Sequence, residues 1–437
     1  MKKVFILAIL FINLLDASYI LKKSVRYKSR LDNIYKHSFA DMKNIPQDVS
    51  FYAKQITPIP YFRQLQYDKR YNYRYFYPWS IKSAKNLSLD FGWEVKMAIR
   101  RHLYMESGKE YLAITKKRWI DNANMKALGS ANLYAITTKH TNLRALPTYS
   151  SFYLAKKGKY LFDFNYNQNS AIYPNTPLYI THYSKDKKWA YVVAPYSFGW
   201  VNLSTIAVVN KRFIKEFKSG NYGVVIKDNC RIYKDGRSYT LVKLGTIFPI
   251  RDGKYLLAVK AKDSHAKIVA IKVAQNNIVA KKPFAFNSAN VAKVAKEFVG
   301  EPYGWGGGFY CRDCSATTRD FFGVFGIFLS RNSSKQAKEG TRVKIPKASY
   351  NFRKRFIIDN AKPFRSLMYV PGHIVLYLGT FKGEPVIMHT YWGVRKKDGS
   401  KIITARTIIT TLEAGKERSD TRVKSRLIYT LKDIINF

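Results

Sequence analysis

The spacing of hydrophobic positions changes along the chain, and the changes divide it into segments. From about 24 to 124 the pattern is mixed, with helical spacing over 93–101. From about 125 to 282 it becomes short apolar runs broken by turn residues: 176–180, 189–193, 199–201, 223–226, 231–233 before an Asp235-Gly236 turn, and 255–259. Runs of this length and spacing predict small β-barrels rather than a parallel sheet. The length suits two of them, with a boundary near 211–219. A helical pattern returns over 288–299, capped by Asn287 or Ser288 and closed by Gly300 and Pro302, and opens the last domain.

An apolar run from Val4 to Leu15 follows Met1-Lys2-Lys3 and precedes Asp16-Ala17-Ser18. This reads as a secretory signal, too short to span a bilayer comfortably, with an uncleaved anchor as the alternative. A chain of 437 residues exceeds one core, and 46% hydrophobic residues with 15% aromatics rule out a disordered class. The balance of 76 basic and 29 acidic residues gives a net charge of +47. Such a charge attracts nucleic acid, anionic lipid or a carboxylate-rich cell wall. An export signal removes chromosomal nucleic acid from that set. The stretch 71–79 interleaves aromatics and bases, which suits stacking on a ligand or, by preference, packing within its own domain.

The chain has 3 cysteines, too few for a disulfide framework. Cys314 follows the glycine-rich stretch 302–308 and precedes a helical pattern over 316–322, which places it at a helix N-terminus. There the macrodipole favours the thiolate, and backbone N–H groups suit an oxyanion. Downstream, His373 and His389 lie in strand-like runs joined by a hairpin turn at 380–384, so adjacent strands can hold a base and a residue that fixes its tautomer. Cys311 and Cys314 also have the spacing of a redox pair, and two Cys with two His could bind zinc. The first lacks its strand–helix setting, and the separations to the histidines fit no compact zinc module.

These residues resemble the NlpC/P60 family of papain-like cysteine peptidases. The resemblance rests on Tyr303-Gly304-Trp305-Gly306-Gly307, Arg312-Asp313-Cys314-Ser315, Arg331-Asn332-Ser333-Ser334 with Gln336-Ala337, and Gly372-His373-Ile374. Stretches 142–148, 162–163, 168–170 and 197–201 resemble the first of two bacterial SH3 barrels found in a multi-domain branch of that family. The resemblance implies an α+β papain-like domain at 287–437, preceded by SH3-like barrels at 125–212 and 213–286. A mainly helical stabilising domain at 18–124 and a signal peptide at 1–17 come before them.

It further implies Cys314 as nucleophile, His373 as base and His389 as orienting residue. Tyr303, Asp313 and Ser315 would bind substrate, with Asp163 of the first barrel meeting a substrate amine. The implied reaction is hydrolysis of the γ-D-glutamyl–meso-diaminopimelate bond of peptidoglycan stem peptides, with preference for a free N-terminal L-alanine. It needs no metal or organic cofactor. The expected location is the periplasm or cell wall, with the basic surface held on anionic wall material, no nucleic-acid partner and no membrane span after signal removal. A wall-binding protein with an inactive peptidase domain is an alternative, and so is an amidase or acyltransferase on the same scaffold. Cys311 is a departure from the family pattern that would allow oxidative trapping of Cys314.

Overall fold

The protein is described by a computed structural model covering residues 39–154, 164–234, 237–271 and 278–437. The expected signal peptide at 1–17, the Asp235-Gly236 turn and Asp163 lie outside the described residues. The described chain forms two units. One comprises residues 70–282 with 305–308, and the other comprises 39–69, 283–304 and 309–437.

The first unit begins in helical segments and continues in β-structure. Leu133–Thr137, Thr141–Arg144, Gln168–Ile172, Pro177–Tyr183, Trp189–Val193, Phe198–Asn202 and Ile206–Val208 form a seven-stranded sheet. Its core is small and aliphatic, with Ala135, Leu143, Ile172, Leu178, Ile180, Val192 and Val201 fully buried. A five-stranded sheet follows, in the order Ala266–Ile271, Lys254–Lys260, Ile247–Arg251, Tyr222–Val225, Val279–Lys281.

A buried asparagine ties the two sheets. Asn175 donates to the carbonyls of Ile247 and Leu256 at 3.1 and 3.0 Å and accepts from the Ala258 N–H at 3.0 Å. Both N–H donors and the carbonyl oxygen of its amide are used, so the polar group costs little to bury. Beside it, Tyr75, Phe76 and Trp79 join a core with Phe213, Phe217 and Tyr222, and Trp79 Nε1 donates to the Ala135 carbonyl at 2.8 Å. These aromatics of the 71–79 stretch are therefore core residues, as the packing alternative expected.

The glycine-rich turn Trp305–Gly308 belongs to this first unit. Gly306 has φ +60 and Gly307 φ +78, and a Cβ on Gly306 would lie 2.1 Å from the Gln168 carbonyl oxygen. The backbone must approach that closely because Gln168 Nε2 donates to the Gly306 carbonyl at 3.0 Å, while Trp305 packs on Phe164 at 4.4 Å.

The second unit is a helix-and-sheet domain. Helix α1 (Ser288–Lys296) is capped by Asn287, whose side chain accepts from Asn290 N–H. Helix α2 (Cys314–Val324) follows. Strands β1 (Thr341–Lys344), β2 (Ser366–Val370), β3 (His373–Phe381), β4 (Glu384–Arg395), β5 (Lys401–Thr411) and β6 (Asp433–Asn436) form one antiparallel sheet in the order β1-β6-β2-β3-β4-β5. Every residue of α2 is buried, which explains why its sequence has no clean polar face.

Several polar side chains on and beside α2 find partners within this unit. Thr317, Thr390 and Thr407 form a chain of hydroxyls at 2.5 and 2.7 Å. Arg312, immediately upstream, donates to Asp320 at 2.6 Å and to both oxygens of Glu301 at 3.0 Å.

Residues 39–69 are stitched onto this same sheet. Asp41 accepts from both the N–H and the hydroxyl of Thr411 at 2.8 Å, and Gln55 exchanges two hydrogen bonds with the backbone of Thr380. The helical segment expected at 18–124 thus divides its packing, with residues up to 69 in the second unit and those from 70 in the first.

Candidate active site

Helix α2 starts at Cys314 because Asp313 adopts an extended conformation and accepts from Ala316 N–H at 3.0 Å, an N-cap. The backbone just before it is strained: Phe309 and Tyr310 have φ of 56 and 64. Non-glycine residues hold that conformation only where the surroundings enforce it, and such positions gather at functional sites.

The Cys314 thiol is buried and receives the backbone N–H groups of Ile374, at the start of β3, and of Ser315. That contact brings the thiol to the start of the strand that carries His373. Strands β3 and β4 pair with Leu376 opposite Met388, so His373, His389 and Tyr391 share one face. His373 Nε2 lies 3.1 Å from His389 Nδ1, and His389 Nε2 lies 3.1 Å from the Thr410 hydroxyl on β5. Tyr391 stacks on the His389 ring with centroids 4.4 Å apart. With His389 protonated on Nε2 toward Thr410, its Nδ1 accepts from His373. That leaves Nδ1 of His373 with the basic lone pair.

The electrostatics run against a resting thiolate. Burial pushes the Cys314 thiol up to about 12, the Asp313 carboxylate adds to the rise, and the Ile374 N–H and the Arg331 charge pull it back. Burial lowers His373 to about 4, against the attraction of Asp313, and holds His389 well below the usual histidine range. Burial thus disfavours the charged form of both groups, whereas the helix end favours the thiolate. The helix dipole contributes locally, and desolvation outweighs it here.

Asp313 is enclosed by positive charge. Arg331 Nη2 donates to Oδ2 at 2.5 Å, Nη1 donates to Oδ1 at 3.0 Å, and Nη1 also reaches the Ser315 hydroxyl at 2.8 Å, which itself donates to Asp313 at 3.2 Å. Gln336 donates to the carbonyls of Ser315 and Ser330 and accepts from the Thr318 hydroxyl. The Arg331–Gln336 stretch therefore braces the first turn of the cysteine helix. Tyr303 is buried, donates its N–H to the Ala405 carbonyl at 2.8 Å and packs edge-on against Trp392 at 5.3 Å. Cys311 is a buried thiol, outside any disulfide, that reaches the Phe309 carbonyl at 3.5 Å.

The second unit thus gathers Cys314, His373, His389, Tyr303, Asp313 and Ser315. Arg331, Gln336 and Thr410 were given no role from sequence. The first two lay inside a quoted signature, and a buried Asp313 needing a countercharge was the available signal. Nothing in the spacing of Thr410 announces that it meets His389.

Three segments match family models: 300–391 the NlpC/P60 family, 7–127 its N-terminal stabilising domain, and 147–202 an SH3 domain of the SH3b1 type. Among solved structures, an NlpC/P60 endopeptidase from Photobacterium damselae subsp. piscicida superposes with a TM-score of 0.79. The match has 23% identity over 90% of this chain and 97% of that one, which shows a shared fold. An NlpC/P60 family protein from Bacillus cereus matches at 13% identity over 70% of this chain and 99% of its own, with a TM-score of 0.47. No curated protein matches the chain. The chain thus carries, in order, segments that match the NlpC/P60 stabilising domain, an SH3 domain and the NlpC/P60 family itself, on a fold shared with an NlpC/P60 endopeptidase.

Proposed function

We propose that the protein is a peptidoglycan hydrolase, a cysteine endopeptidase cutting the γ-D-glutamyl–meso-diaminopimelate bond of stem peptides and preferring a free N-terminal L-alanine. The observation that carries this reading is the Cys314 thiol at the head of α2, held at the Ile374 N–H next to His373 in the chain, with His373 linked on to His389 and Thr410. His373 takes the thiol proton as the sulfur attacks the carbonyl carbon, and the positive end of α2 faces the negative oxygen that forms. His373 then returns the proton to the leaving amine, giving a thioester, and activates the water that releases the acid and restores the thiol. Burial that raises the thiol and lowers the imidazole fits this order, because the proton moves in the attack itself.

Tyr303, Asp313 and Ser315 are assigned to the substrate side of Cys314, with Asp313 and Ser315 sharing the Arg331 charge. Asp163 is retained as the amine partner from the first barrel. The five-stranded sheet is read as a second SH3-like barrel. A cell-wall substrate implies an exported protein, with the +47 charge favouring anionic wall material; no described helix is long and apolar enough to cross a membrane.

Incubating purified muropeptides with the wild type and with Cys314→Ala, and reading products by mass, tests the reading. Fragments split at the γ-D-glutamyl bond with the wild type alone are expected. The absence of products would favour a binding protein, and transfer without hydrolysis would favour an acyltransferase.

A further inference from the structure

Two helices of the first unit carry a surface that the proposed hydrolysis does not use. Helix Trp93–Arg100 buries Ala98 and half-buries Val95 and Met97, in a cluster with Leu103, Tyr111, Trp119 and Ile120. Its outward positions are Lys96, Ile99 and Arg100, an i, i+3, i+4 stripe. Helix Ala113–Asn122 rests Trp119 and Ile120 on that cluster and turns out Ile114, Lys117 and Arg118, with the same spacing and the same composition.

The end of the first helix meets the start of the second. Lys116 Nζ donates to the Arg101 carbonyl at 2.9 Å, and Tyr111 N–H to the Leu103 carbonyl at 2.8 Å. Ile99, Leu112 and Ile114 are 63%, 65% and 53% exposed. Of the acidic groups nearby, Asp90 pairs with Lys96, Glu110 lies 2.7 Å from His102 Nδ1 and Glu94 is buried, while Glu106 of the connection and Asp121 of the outward stripe are exposed.

We propose that the outward faces of these two helices form a docking surface for an anionic lipid bilayer. Cationic side chains alone would serve any polyanion, including wall polymers. Aliphatic side chains held in water among them gain only from an apolar medium, so the combination selects an interface with acyl chains beneath charged headgroups. The surface would hold the enzyme peripherally, with Arg100, Arg101, Lys117 and Arg118 at headgroup level. This goes beyond the proposed hydrolysis and stands whether or not that reading survives.

Co-sedimentation of the full chain with phosphatidylglycerol-containing vesicles, phosphatidylcholine vesicles and isolated peptidoglycan sacculi tests the proposal. Binding to the anionic vesicles is expected to weaken about tenfold or more in Ile99→Ser/Leu112→Ser/Ile114→Ser, whose charge is unchanged, with sacculus binding unaltered. Lys96→Gln/Arg100→Gln/Lys117→Gln/Arg118→Gln should remove the preference for anionic over neutral vesicles. Far-UV circular dichroism, expected to match wild type because the positions are exposed, separates these effects from misfolding. Retention on sacculi with no vesicle binding would overturn the proposal in favour of a wall polymer. Unchanged vesicle binding by the serine variant would overturn it in favour of charge alone.

Discussion

Nε2 of His373 and Nδ1 of His389 stand 3.1 Å apart on adjacent strands, and the far nitrogen of His389 ends on the Thr410 hydroxyl. With His389 protonated on Nε2, the second ring directs the basic lone pair of the first to Nδ1. His389→Ala is expected to lower kcat by about 10²–10⁴-fold with little change in KM, because orientation and proton acceptance are lost rather than substrate contacts. His389→Asn keeps an acceptor in place and should retain more activity. Steady-state kinetics on a defined muropeptide read both. Equal losses in the two variants would remove the tautomer argument.

Arg331 neutralises a buried carboxylate beside the thiol. In Arg331→Gln, Asp313 keeps its charge without its guanidinium partner, and the thiol loses one of the charges that lower it. The thiol should titrate still higher, so iodoacetamide labelling of the Cys314 peptide at pH 8 slows and its rise moves to more alkaline pH. Breaking the pair should also cost about 3 kcal/mol of stability. Peptide-resolved alkylation and urea unfolding measure the two effects separately.

Glu94 is fully buried, with the Tyr191 hydroxyl 3.1 Å from each carboxyl oxygen, and burial raises its pKa to about 8. Between roughly pH 4.5 and 8 the folded chain keeps a proton that the unfolded chain has released. Stability therefore falls as pH rises through that window, by at most about 1.4 kcal/mol per pH unit, and levels above it. Glu94→Gln should flatten this dependence and be relatively more stable at pH 8 than at pH 5. Urea midpoints at the two pH values check it, and an unchanged slope would sink the assignment.

The two kinds of glycine in the chain should respond differently to alanine. Gly383, in the β3–β4 turn at φ +73, has open space around a would-be Cβ, so Gly383→Ala costs about 1 kcal/mol of backbone strain. Gly306→Ala drives a methyl into the Gln168 carbonyl and should cost well above that, about 3 kcal/mol, with loss of the Trp305–Phe164 packing. Thermal unfolding of both variants tests the contrast.

The sequence by itself determined the elements and the chemistry they carry. The N-cap at Asn287 and the strands holding both histidines were legible because capping and alternation act over a few residues. So was a helix after the glycine-rich turn, since its start signal is local. Tertiary structure alone decided the burial that raises the Cys314 thiol and the partners of the site. Desolvation depends on what packs over the thiol, and Arg331, Gln336 and Thr410 reach the site from other elements, at separations no local pattern encodes. The same holds for Tyr75, Phe76 and Trp79 of the 71–79 stretch. Their composition suited either a ligand or a core, and only the placement of Trp79 beneath Ala135 decided between them.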